Sequence, residues 1–117
     1  MSEGASHQAV VLLIGEPPLP DILGPGLESH GYGVVTEPGA GAPAILVVGA
    51  FSKDAAVRRL SELRSAGGRE LDTIVCAPFD SLADEDTFVE EHEVGVVPVP
   101  VDMDRLLELL AILRVNV

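Results

Sequence analysis

The sequence predicts a doubly wound α/β domain built on a parallel sheet, and three observations carry that prediction. Short runs rich in Val, Ile and Leu recur at residues 9–14, 44–48 and 73–77, each the length of a strand buried on both faces. Segments with helical apolar spacing alternate with these runs, which implies right-handed crossovers between parallel strands. Only 3% of residues are aromatic while 47% are apolar, so small aliphatic side chains fill the core, as suits such a sheet. A chain of 117 residues supports one such core without disulfide or metal support.

Residues 1–8 are small and polar and are expected to form a flexible tail, leaving 9–117 as a single domain. The first strand, 9–14, closes in Gly15-Glu16-Pro17-Pro18, a loop at its C-terminal end. Ile22, Leu23, Gly26 and Leu27 then fit one helical face, but Pro25 lacks the amide its turn would use, so a kinked or late-starting helix is predicted. Gly31-Tyr32-Gly33 stops it, and 34–36 is a short second strand. Residues 38–43 are too rich in Gly and Pro for an ordinary helix, so the second helix of the fold is predicted to be shortened or absent.

After the strand at 44–48, Ser52 caps a helix whose stripe is Ala56, Val57, Leu60 and Leu63, ended by Gly67-Gly68. The strand at 73–77 leads to a helix within 80–93 that has few apolar anchors, chiefly Leu82, Phe88 and Val89. A fifth strand, 96–101, contains Pro98 and Pro100, which remove ladder donors and place it at a sheet edge. Asp102 caps a last helix running through Leu106, Leu107, Leu109, Leu110, Ile112 and Leu113. Five strands in this length give a flavodoxin-like three-layer sandwich with strand order 2-1-3-4-5. In that topology a site lies at the C-terminal strand ends, where the strand order reverses.

The charge narrows the partners. With 19 acidic against 7 basic residues the net charge is −12, a field that repels nucleic-acid phosphates and anionic lipid headgroups, so neither is an expected partner. Cys76 is the single cysteine and forms no internal disulfide, as suits a reducing cytosol. No basic leader followed by an apolar run opens the chain, and no apolar run approaches the roughly 18 residues of a membrane span. A soluble, cytoplasmic protein is expected.

Four short motifs carry a family resemblance. Glu16-Pro17 follows the first strand, and Leu27-Glu28-Ser29-His30-Gly31-Tyr32-Gly33-Val34 leaves the first helix. Pro43-Ala44-Ile45-Leu46-Val47-Val48-Gly49 ends the third strand, and Val99-Pro100-Val101-Asp102 follows the fifth. In order and spacing, over residues 10–114, these resemble the receiver domain of bacterial two-component response regulators. That family has Glu-Pro after an acidic pair, Leu-Glu-x-x-Gly-Tyr-x-Val, Pro-Asp-Leu-Ile-Leu-Leu-Asp and Lys-Pro-Phe-Asp at these places.

The resemblance implies a phosphorelay site in which an acidic pair holds Mg²⁺, an aspartate accepts the phosphoryl group, and a hydroxyl and a lysine read it. Carried onto this chain, the acidic pair falls on Ile14 and Gly15, with Glu16 as the remaining carboxylate. The acceptor falls on Gly49, the hydroxyl on Cys76, the lysine on Val99 and the aromatic switch near Val96. One carboxylate is too little charge for tight Mg²⁺ binding, and glycine has no nucleophile for phosphoryl transfer. What the resemblance implies is therefore a degenerate receiver, or pseudo-receiver, with no catalytic residue, no metal site and no cofactor.

Other features are weighed beside it. Cys76 is either a reactive thiol or a small core residue, and no cation neighbours it in sequence to lower its pKa. His7, His30 and His92 lack metal-ligand spacing. Gly39-Ala40-Gly41 lacks the Gly-Lys-Ser/Thr ending of a phosphate loop and reads as a connector. The acids Asp80, Asp84, Glu85, Asp86, Glu90, Glu91 and Glu93 either dock a basic partner or form a solvated helix face.

The last helix is apolar over more than one stripe. Either both its faces are buried, or it forms an interface with the fifth strand. Receivers commonly use this region for dimers and output, which implies an interface of Val96, Val97, Val99, Leu107, Leu110 and Arg114 with a protein partner or a second copy of the chain. The expected function is a phosphorylation-independent signalling module acting through protein contacts. The alternative is a small-ligand sensor using the vacated phosphorylation pocket beneath Glu16, Gly49, Cys76 and Pro100.

Overall fold

The computed structural model describes residues 10–37, 45–67, 72–99 and 101–115. Strands β1 (Val10–Gly15), β2 (Gly33–Val35), β3 (Ile45–Gly49), β4 (Asp72–Ala77) and β5 (Gly95–Pro98) form one sheet, all parallel, in the order β2-β1-β3-β4-β5. The helices are α1 (Leu19–Ser29), α2 (Lys53–Gly67), α3 (Leu82–His92) and α4 (Met103–Val115). The flavodoxin-like topology expected from the sequence is thus the one observed. The shortened or missing second helix falls mostly on residues 38–44, and the flexible tail on 1–8; both lie outside the described residues.

Successive strand residues point to opposite faces, and the two faces collect separate cores. Val11, Leu13, Ile45, Val47, Ile74 and Cys76 pack with Leu23 and Leu27 of α1 and Leu106 and Leu110 of α4. Leu12, Leu46, Val48, Val75 and Val96 pack on the other face with Ala56 and Leu60 of α2 and Phe88 of α3. Each fully buried Leu or Val contributes on the order of 1.5–3 kcal/mol relative to leaving it exposed. Continuous apolar runs, rather than alternating ones, are what a sheet covered on both faces demands.

Local chemistry explains most helix starts. The Ser52 hydroxyl accepts the Ala55 N–H (3.1 Å), Ser81 accepts that of Asp84 (3.2 Å) and the Asp102 carboxylate accepts that of Asp104 (3.0 Å), each satisfying an orphan donor of a first turn. α1 does not start late: it begins at Leu19 with Pro20 in its first turn and continues through Pro25. Gly24 has no Cβ to clash with the following proline ring. The bond that Pro25 cannot donate would have gone to Asp21, and both residues lie on the exposed side of the helix. β2 begins one residue earlier than predicted, and β5 ends at Pro98 on the sheet edge instead of reaching 101. Of the expected anchors of α3, Leu82 is 73% exposed and anchors nothing, while Phe88 and Val89 pack on the core as expected; Glu85 is buried as well, and Phe79 lies edge-on to Phe88 at 5.2 Å.

Candidate functional site: the C-terminal rim of the sheet

The strand register sets Gly15 beside Gly49, Gly49 beside Cys76 and Cys76 beside Val97, a single row across the sheet. The positions that the resemblance marks on β1, β3 and β4 therefore do converge at the strand ends. What they make there is a closed joint. A Cβ on Gly15 would collide with the Gly49 carbonyl oxygen, so this backbone admits only glycine at 15. A Cβ on Gly49 would meet Leu19 at 3.2 and 3.3 Å. Leu19, the buried first residue of α1, occupies the space over Gly49. It was not singled out from the sequence, where its only signal is an apolar side chain directly after Pro17-Pro18 in the first βα loop.

Glu16 is half-buried and committed to the joint. Its N–H donates to the Gly49 carbonyl (3.0 Å), and its Oε1 accepts the N–H of Phe51 at 2.7 Å. The lone carboxylate thus clips the β1–α1 loop to the β3–α2 loop. Ile14 is half-buried against the α2 and α3 side of the sheet. Cys76 is fully buried, and burial pushes its thiol up to about 12, so at neutral pH it is a protonated core residue and no nucleophile. Val99 is half-buried, and its N–H donates to the Ala77 carbonyl (3.1 Å).

A second clip joins the first turns of α2 and α3. Lys53 Nζ donates to both carboxylate oxygens of Asp84, at 2.9 and 2.7 Å, and Asp84 Oδ2 also accepts the Asp80 N–H at 3.0 Å. The hydrogen bond to Asp84 raises the Lys53 pKa, while the bonds from Lys53 and from the Asp80 backbone lower that of Asp84. Lys53 escaped the sequence reading, although Ser81-Leu82-Ala83-Asp84 has the pattern of a capping box.

Beside the joint, on the α2 side, lies an open cleft of about 230 Å³ bounded by Gly15, Glu16, Gly49, Arg58, Arg59 and Glu62. Of the pocket predicted beneath Glu16, Gly49, Cys76 and Pro100, the first two residues line this cleft, and the rest is corrected. Cys76 is sealed in the core, Leu19 covers Gly49, and Pro100 lies outside the described residues. His7 also lies outside them; the His30 ring nitrogen Nδ1 approaches the Gly26 carbonyl at 2.9 Å, and His92 packs on the Phe88 ring at 4.4 Å. Among the described residues, no three His, Cys, Asp or Glu side chains come together as a metal site.

The predicted interface is largely core. Val96, Val97 and Leu110 are 5%, 0% and 0% exposed, so none can meet a partner in the folded chain. The reason is that β5, although an edge strand, is covered by helices on both faces, and Leu106 and Leu110 form the inward stripe of α4. Val99 and Leu107 are half-buried against that core, and the Arg114 side chain lies outside the described residues. Among the described residues, the exposed large apolar ones are Ile22, Phe51, Leu82 and Ile112. No described helix is long and apolar enough to cross a membrane.

The chain matches no protein-family model and no curated protein. The strand order and the geometry of the rim therefore carry the functional argument.

Proposed function

We propose that the chain is a pseudo-receiver, a phosphorylation-independent signalling module of a bacterial regulatory pathway that acts through protein contacts in the cytoplasm. The observation that carries this reading is Leu19 packed over Gly49 at the end of β3, where the resemblance puts the phosphoacceptor. Glycine supplies no nucleophile, and any side chain at this position would have to displace Leu19. Phe51 beside the rim, Leu82 at the start of α3 and Ile112 on α4 are exposed apolar groups that protein contacts can use.

The test has two arms. Incubation with acetyl phosphate and Mg²⁺ is expected to leave the intact mass unchanged; gain of one phosphoryl group on an aspartate overturns the reading. Sedimentation and cross-linked capture from the native cytosol are expected to show an association that Phe51→Ser, Leu82→Ser or Ile112→Ser weakens. Association unchanged in all three, with folding intact by circular dichroism, removes these contacts as the basis of function.

A further inference from the structure

We infer that the cleft between the ends of β1 and β3 and the flank of α2 binds a small oxyanion, a carboxylate- or phosphate-bearing metabolite, on the guanidinium of Arg58. The location is the first support. β1 is followed in the chain by β2 on one side of it and is flanked by β3 on the other, so the strand order reverses between β1 and β3. In open α/β sheets this is where ligands settle.

Charge is the second. The chain has a net charge of −12 and only 7 Lys and Arg residues, yet Arg58 and Arg59 stand side by side in this one cleft. The lining also holds two carboxylates: Glu62 lies 3.7 Å from Arg59, and Glu16, which keeps its charge, is held by the Phe51 N–H at 2.7 Å. Arg58 lines the same cleft, is exposed and has no ion-pair partner among the described residues, which leaves its guanidinium available to an anion. A guanidinium fork matches a carboxylate or phosphate with two parallel hydrogen bonds.

Size and rigidity complete the case. About 230 Å³ is below the roughly 300–1,000 Å³ of drug-sized sites, which suits a small metabolite better than a nucleotide. The cleft's floor is preorganised by the close Gly15–Gly49 approach and the Glu16 clip, so little ordering accompanies binding. This inference stands apart from the contact reading, and neither depends on the other.

The experiment is an NMR titration of the intact chain at low ionic strength with inorganic phosphate and, separately, with succinate, following the arginine side-chain and backbone amide resonances. At least one anion is expected to give saturable shifts confined to Arg58, Arg59 and the amides of Glu16, Gly49 and Ala50; the tighter of the two tells whether the site prefers a tetrahedral or a planar group. Arg58→Gln is expected to weaken binding about tenfold, the scale of one lost charge-assisted hydrogen bond. Arg105→Gln removes the same charge on α4, outside the cleft, and is expected to leave affinity within about twofold, since distant exposed charges are largely screened. Glu62→Gln frees Arg59 and is expected to tighten binding. No saturable shift with either anion, equal weakening by the two arginine variants, or weaker binding in Glu62→Gln overturns the inference.

Discussion

Two glycines and a leucine decide what the rim can do. Gly15→Ala places a methyl group against a backbone oxygen that cannot rotate away, and is expected to lower stability by about 1–3 kcal/mol in chemical denaturation. Gly49→Asp restores a carboxylate in name, but its side chain meets Leu19. A double-mutant cycle of Gly49→Asp with Leu19→Ala is expected to show coupling, the pair costing less together than the sum of the singles, because one truncation makes space for the other insertion. Cys76 gives a pH signature. Its folded pKa of about 12 lies above the usual thiol value, so its share of stability is complete below about pH 8.5 and is lost as pH rises from there toward 12. Thiol reagents are expected to label it only as fast as the chain opens. The resemblance pointed to residues 14, 15, 49 and 76, and their meeting at the strand ends was legible from motif spacing; Leu19 was not, because its role arises from a through-space meeting with residue 49 that no local pattern encodes.

At the scale of elements, caps were legible and exposure was not. Ser52 and Asp102 read correctly because a cap is settled within three residues of chain. The α4 positions read incorrectly because inward and outward faces depend on what the sheet and α1 present, so Leu110 proved to be core and Ile112 surface. The start of α1 was misplaced by giving Pro25 the full cost of an interior proline, although its missing bond faces solvent. α3 ends with Glu93 at φ 56, a left-handed conformation that suits glycine; Glu93→Gly is expected to raise stability by up to about 1 kcal/mol, read as a higher denaturation midpoint. The Lys53–Asp84 clip adds an acid dependence. The lowered Asp84 pKa means its contribution is present above the ordinary carboxylate value near pH 3.9 and is lost as pH falls through the lower folded value. Hydrogen exchange at the Asp80 and Asp84 amides is expected to quicken in Lys53→Ala, and to do so at neutral pH.

For the whole molecule, the layering followed from composition and periodicity: apolar runs with little alternation can be satisfied only by a sheet covered on both faces, and the pattern of alternating elements leaves few parallel topologies. A charge of −12 spread over one small domain works against compaction. Thermal stability is accordingly expected to rise as salt goes from about 10 mM to about 150 mM, where the screening length contracts from roughly 30 Å to 8 Å. A melting temperature that stays flat or falls over that range would show that the acids are locally compensated.

The two clips, Glu16 to Phe51 and Lys53 to Asp84, meet around the β3–α2 connection, so the β1–α1 loop, the start of α2 and the start of α3 are yoked in series. A yoked rim holds one posture, and on the proposed reading its message is its presence: the quantity that a cell would adjust is how many copies it makes and how quickly it destroys them.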